Sequence, residues 1–137
     1  MAVRPINKDI FFLSQKAEIA TREDSEVIVD LMDTLYAHEE DCIGMAANMI
    51  GVNKRIIAVS MGAFNVAMVN PYIVSRSRPY EAEEGCLCHK GEKKVKRFMD
   101  IEVEYQDATF HPHKQKFTGW IAEVIQHEID HCDGKLI

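Results

Sequence analysis

The chain of 137 residues contains no run approaching ~18 consecutive apolar residues, which excludes a membrane-spanning helix. It has no basic excess. Sixteen Lys and Arg against 22 Asp and Glu leave a net charge of −6, whereas a nucleic-acid surface needs a basic face. Its opening residues, MAVRPINKDIFF, lack the long apolar core of a signal peptide. Only four cysteines occur, and without a secretion signal they read as reduced thiols of a cytoplasmic protein. No linker, internal repeat or low-complexity segment is visible; the longest charge-rich patch spans residues 90–97.

The remaining composition, 47% hydrophobic and 28% charged, is that of a soluble globular protein. Residues 1–137 suffice for one compact domain that buries roughly two-thirds of its unfolded surface. Thr21 and Asp24 resemble a helix cap, and Val27, Ile28, Leu31, Met32 and Leu35 recur at helical spacing, predicting a helix over 22–37. Short apolar strands follow over 55–60 and 64–69, the second stopped by Asn70-Pro71. Residues 101–105 alternate as a half-exposed strand should. A last helix is expected over 118–134, with Ile121, Val124, Ile125 and Glu128 on its core face and two histidines on an adjoining stripe. The order predicts an α+β fold with the C-terminal helix on antiparallel sheet, not a βαβ alternation.

That last helix carries His127-Glu128-Ile129-Asp130-His131. Histidines four apart share a helical face and can bind one metal ion, while the intervening Glu can reach a water on that ion as general base. No third His follows, so the best third ligand is a thiolate from Glu84-Gly85-Cys86-Leu87-Cys88. Cys86, His127 and His131 would leave one position of a tetrahedral ion open, as catalytic sites do. Two blander readings compete. The motif could be a solvated helix face, or Cys86, Cys88, His127 and His131 could close a structural zinc site, which would leave Glu128 without a role. Residues 42–51, rich in Gly and Ala, read either as close backbone packing or as backbone that approaches a ligand.

Three segments in this order resemble the peptide deformylase family, whose members carry GxGΦAAxQ, EGCLS and QHExDH stretches. Here they stand as Cys42-Ile-Gly-Met-Ala-Ala-Asn-Met49, Glu84-Gly-Cys-Leu-Cys88 and Gln126-His-Glu-Ile-Asp-His131. The resemblance implies a deformylase-like α+β fold with antiparallel sheets around the HExxH helix. It implies one divalent metal, Fe²⁺ in the cell and Zn²⁺ or Ni²⁺ in a purified sample, held by Cys86, His127 and His131. It further implies removal of the N-formyl group from the N-terminal methionine of nascent peptides, with transient ribosome association and no direct contact to nucleic acid or membrane. Glu128 would be the general base and the Leu87 N–H an oxyanion donor. Ile43, Gly44, Glu84, Gly85, Arg97 and Val124 would meet substrate, Arg97 alternatively being a solvated strand-end cation.

The family's Gln is Met49 here, and a thioether cannot donate to an oxyanion. Loss of one such donor costs ~3–4 kcal/mol. Asn48 could substitute only if the backbone is shifted from a regular helix, where it points ~100° away. Cys42 and Cys88 replace a Gly and a Ser, which adds thiols near the expected metal. The alternative function is therefore a degenerate homologue that binds metal or peptide with weak or no turnover.

Overall fold

The computed structural model describes residues 2–86 and 89–137. Five strands, β1 (Gly44–Ala46), β2 (Ile56–Ser60), β3 (Asn65–Cys86), β4 (His89–Gln106) and β5 (Pro112–Thr118), form one antiparallel sheet in chain order. Among the described residues three α-helices, α1 (Ile10–Leu13), α2 (Ser25–Ala37) and α3 (Gly119–Cys132), accompany it. This is the expected α+β arrangement.

β2 explains where the core sits. Ile56, Ile57, Ala58 and Val59 are all buried, so both faces of the strand are covered, and both α2 and α3 pack against it. A strand buried on both sides has to read as a continuous apolar run rather than an alternation. α2 begins after a short 3₁₀ turn, Arg22–Asp24, and the Asp24 carboxylate accepts the Thr21 N–H at 2.9 Å, as the capping pattern predicted. Its buried side is Ile28, Leu31 and Leu35, together with Asp30, which accepts the Ala2 N–H at 2.7 Å and two nitrogens of Arg4.

One expectation is corrected. The strand starting near 64 does not stop at Asn70-Pro71 but runs to Cys86, with a register shift between Val69 and Tyr72. Asn70, at φ 52°, pairs both ways with the Ala20 backbone and donates to Gln106. The turn-forming residues thus build a bulge, which lets a proline sit within a strand. The charge-rich patch lies within β4. Lys93, Lys94 and Lys96 of β4 stand opposite Glu84, Glu83 and Glu81 of β3, and opposite charges facing across strands support the pairing.

α3 is fixed at three places. Gln126 accepts the Phe98 N–H at 2.9 Å and donates to the Phe98 carbonyl at 2.8 Å, so the helix docks on β4 through an amide that mimics a strand partner. Asn48 donates to the His131 carbonyl at 2.8 Å, and Ala17 N–H to the Cys132 carbonyl at 2.8 Å. Just beyond, Gly134 takes φ 79° in close approach to Ser14, where an added Cβ would lie 2.5 Å from the Ser14 carbonyl oxygen. Only glycine fits that conformation and that gap.

Candidate metal centre and active site

Cys86, from the last residue of β3, and His127 and His131, one turn apart on α3, converge so that their ligand atoms all lie within 4.8 Å of one another. The two Nε2 atoms are 3.1 Å apart, and Cys86 Sγ is 3.3 Å from His131 Nε2. Bonds of ~2.0–2.1 Å to nitrogen and ~2.3 Å to sulfur require ligand separations of this order. One thiolate and two imidazoles suit a borderline-soft divalent ion. The residues present fit a single metal.

The surroundings orient those ligands. His127 Nδ1 lies 2.8 Å from Glu84 Oε1, which turns Nε2 toward Cys86 and His131, the carboxylate–histidine arrangement of many metal sites. Glu84 in turn accepts from Arg97 at 2.7 and 2.9 Å, and Arg97 donates to Asp130 at 2.6 Å. Burial alone would raise the Glu84 pKa, but His127 and Arg97 outweigh it and hold the carboxyl down to about 2. Burial would likewise lower His127. Its hydrogen bonds with Cys86 and Glu84, and the nearby Glu128, instead raise it to about 10, a proton that an arriving ion displaces.

Glu128 is built differently. Its Oε1 is buried with no hydrogen-bond partner among the described residues, and burial pushes its pKa up to about 7. Gly44 makes room for it, since a Cβ there would stand 2.6 Å from Val124 Cγ1 and 2.9 Å from Glu128 Oε2. A neighbouring carboxyl poised near neutrality is the chemistry of a proton carrier.

A cavity of about 470 Å³ opens over these groups, and Ile43, Gly44, Met49, Glu84, Gly85, Cys86, Val124, His127 and Glu128 all line it. Arg97 does not. It is neither a substrate contact nor a solvated cation, because it is buried between Glu84 and Asp130 and orients a ligand through Glu84. Glu84 lines the cavity, yet its carboxylate is committed to His127 and Arg97. Asn48 does not line the cavity; the side chain is buried and its Nδ2 donates to the His131 carbonyl, away from position 49. Met49 sits in a 3₁₀ turn, Ala47–Ile50, with its sulfur 3.5 Å from the Ala46 N–H. Cys42 lines the cavity and donates to the Gly44 carbonyl at 2.9 Å, and burial pushes its pKa up to about 12, so it stays a thiol. Leu87 and Cys88 lie outside the described residues, and with them the oxyanion donor and the closed four-ligand alternative.

Sequence reasoning missed Gln126 and Asp130 as positioning groups, although both stand inside the QHExDH stretch that it quoted. It also missed Trp120, Glu123 and Asp41 on the cavity wall. For Trp120 and Glu123 the signal was position, since they share the face of 124 and 127 at helical spacing, whereas nothing in the sequence singles out Asp41.

A helix-borne HExxH pair facing a cysteine, beside a buried carboxyl in an open cavity, defines a mononuclear metallohydrolase. Residues 6–137 match the model of the polypeptide deformylase family. The chain is 52% identical over 135 residues to a peptide deformylase of Clostridium beijerinckii, covering 98% of this chain and 99% of that protein. A peptide deformylase of a Picosynechococcus species is 37% identical, over 89% of this chain and 70% of the relative. The crystal structure of the Thermotoga maritima peptide deformylase superposes with a TM-score of 0.90 at 28% identity, covering 99% of this chain and 95% of that one. The chain belongs to the peptide deformylase family.

Proposed function

We propose that this protein removes the N-formyl group from the N-terminal methionine of nascent peptides, with Cys86, His127 and His131 holding Fe²⁺ in the cytoplasm. The observation that carries the reading is the pairing of a three-ligand centre with a buried Glu128 Oε1 beside it that has no hydrogen-bond partner among the described residues. When bound, the metal supplies Lewis acidity to a water and to the formyl carbonyl. Glu128 takes the proton of the attacking water and hands it to the departing amine, which its near-neutral pKa allows in both directions. Glu84 keeps His127 in the tautomer that presents Nε2, and Arg97 keeps Glu84 ionised. Gly44 lets the peptide backbone approach Glu128. Leu87 N–H is the proposed oxyanion donor, and Met49 contributes shape but no hydrogen bond. The net charge of −6 keeps any association with the ribosome transient.

Hydrolysis of formyl-Met-Ala by metal-verified protein tests this. Turnover should vanish on chelation and return with Fe²⁺, Zn²⁺ or Ni²⁺. A fully metal-loaded protein that leaves the formyl peptide intact overturns the reading.

A further inference from the structure

The two metal-ligating histidines are held unequally at their outer nitrogens. His127 Nδ1 lies 2.8 Å from Glu84 Oε1. His131 turns Nε2 toward Cys86 Sγ at 3.3 Å and His127 Nε2 at 3.1 Å, which leaves Nδ1 as its outer atom. His131 is fully buried, and that Nδ1 has no hydrogen-bond partner among the described residues. An imidazole that gives Nε2 to an ion keeps its proton on Nδ1, and ligating histidines almost always pass that N–H to an acceptor. Asn48 carries the complementary defect. From the Ala47–Ile50 turn its Nδ2 donates to the His131 carbonyl at 2.8 Å. A carbonyl only accepts, so the nitrogen end of the amide is fixed there and the oxygen end points elsewhere. That Oδ1 is buried, and it too has no hydrogen-bond partner among the described residues. A donor in need of an acceptor and an acceptor in need of a donor thus sit on two residues already joined by one hydrogen bond. Buried polar atoms are costly to leave unmatched, and these two match.

We propose that Asn48 is a positioning residue for the metal centre, its Oδ1 accepting the His131 Nδ1–H with at most one buried water between them. It does for His131 what Glu84 does for His127, but as a neutral amide and from the turn that carries Met49. One side chain then fixes His131 twice, at the backbone through Nδ2 and at the ring through Oδ1. The inference rests on the metal-centre reading above and deepens it.

The test compares parent, Asn48→Leu and Asn48→Asp, each titrated with Zn²⁺ against a chromophoric chelator. Leucine removes both contacts of the amide, whereas aspartate keeps an acceptor oxygen for the ring. Asn48→Leu should weaken Zn²⁺ affinity about 10–100-fold, and Asn48→Asp should stay within about threefold of the parent or bind more tightly. In ¹H–¹⁵N spectra of the zinc-loaded proteins, the His131 Nδ1–H should move upfield in Asn48→Leu alone, as a lost hydrogen bond requires. The His127 Nδ1–H, held by Glu84, should stay in place throughout. A role confined to the His131 carbonyl would make the two variants equally weak, and that result overturns the inference. So does an Asn48→Leu protein of parental affinity. Where Asn48→Leu does not fold, a crystal structure of the zinc-loaded parent decides. Any acceptor on His131 Nδ1 other than Asn48 Oδ1, or a water bonded to it, overturns the inference and leaves the metal centre standing. A parent that binds no Zn²⁺ overturns the metal-centre reading, and the inference with it.

Discussion

Two glutamates lie close to His127, Glu84 from β3 and Glu128 from α3 where it packs on β1, with opposite results. On the β3 side, Glu84 is held by His127 and by two nitrogens of Arg97, and its pKa falls to about 2 although burial opposes this. On the β1 side, Glu128 has the Gly44 backbone and the Val124 methyl beside it and, among the described residues, no cation bonded to it, and burial lifts its pKa to about 7. Both carboxyls are buried and both adjoin the metal ligands. What separates them is the set of groups bonded to Glu84, His127 first and then Arg97. With such partners a carboxylate becomes a fixed anchor, and without them a carboxyl becomes a group that can exchange protons near neutral pH.

The comparison breaks most visibly at Glu128. Glu128→Gln should keep metal stoichiometry and lower kcat by about 10²–10⁴, since an amide cannot take the proton. Metal analysis beside steady-state kinetics on formyl-Met-Ala checks this, and near-parental turnover would remove Glu128 as the base. Arg97→Met attacks the other wall. Leaving Glu84 buried without its guanidinium, while half-buried Asp130 keeps only Lys135 at 3.7 Å, should cost about 3–5 kcal/mol in denaturant unfolding, with metal retention weakened through His127. A loss under about 1 kcal/mol would show that the anchor is dispensable.

Met49→Gln sharpens the contrast from the substrate side. It supplies a donor next to the Glu128 wall and should raise kcat/KM by about 10–10³-fold on the same peptide. No gain over an already efficient parent would mean that oxyanion stabilisation is complete without position 49. The smallest effect lies in pH. The folded-state pKa of His127, about 10, exceeds its ordinary value of 6.5, so in the metal-free protein its stabilising contribution is full below pH 6.5 and is lost as pH rises toward 10. The Tm of the metal-free protein should fall by several degrees across that window. The metal-loaded protein, whose His127 is already neutral, should lack this slope, and parallel melting curves for the two forms would contradict the assignment.

Much of this was legible beforehand. The spacing of His127 and His131 fixes both on one helical face whatever the rest of the chain does, and only Cys86 had a plausible flanking pattern for a third ligand. α2 and α3 were visible because amphipathic periodicity and caps are local signals. Arg97 was misread because its meaning is not local. A cation at the end of a run of lysines looks solvated until the antiparallel pairing of β3 with β4 and the packing of α3 bring Glu84 and Asp130 around it. Asn70-Pro71 misled for a related reason, since its turn chemistry was real but was absorbed by a bulge whose partners, Ala20 and Gln106, are distant in sequence. Asn48 could be judged only once its amide was seen on the His131 carbonyl.

That last hydrogen bond also bears on folding kinetics. It joins residues 83 apart, and the Cys86–His131 pair spans 45. Closing loops of that length carries an entropic cost that local helix formation cannot offset, so contacts of this range form late. The isolated α3 segment, with two imidazoles alone, is a poor trap for an ion. The high-affinity centre exists only after β3, the Ala47–Ile50 turn and α3 have docked together. Metal capture is therefore a terminal event of folding rather than its nucleus, and the bound ion acts as a latch on an assembled structure, slowing its unfolding more than it speeds its formation.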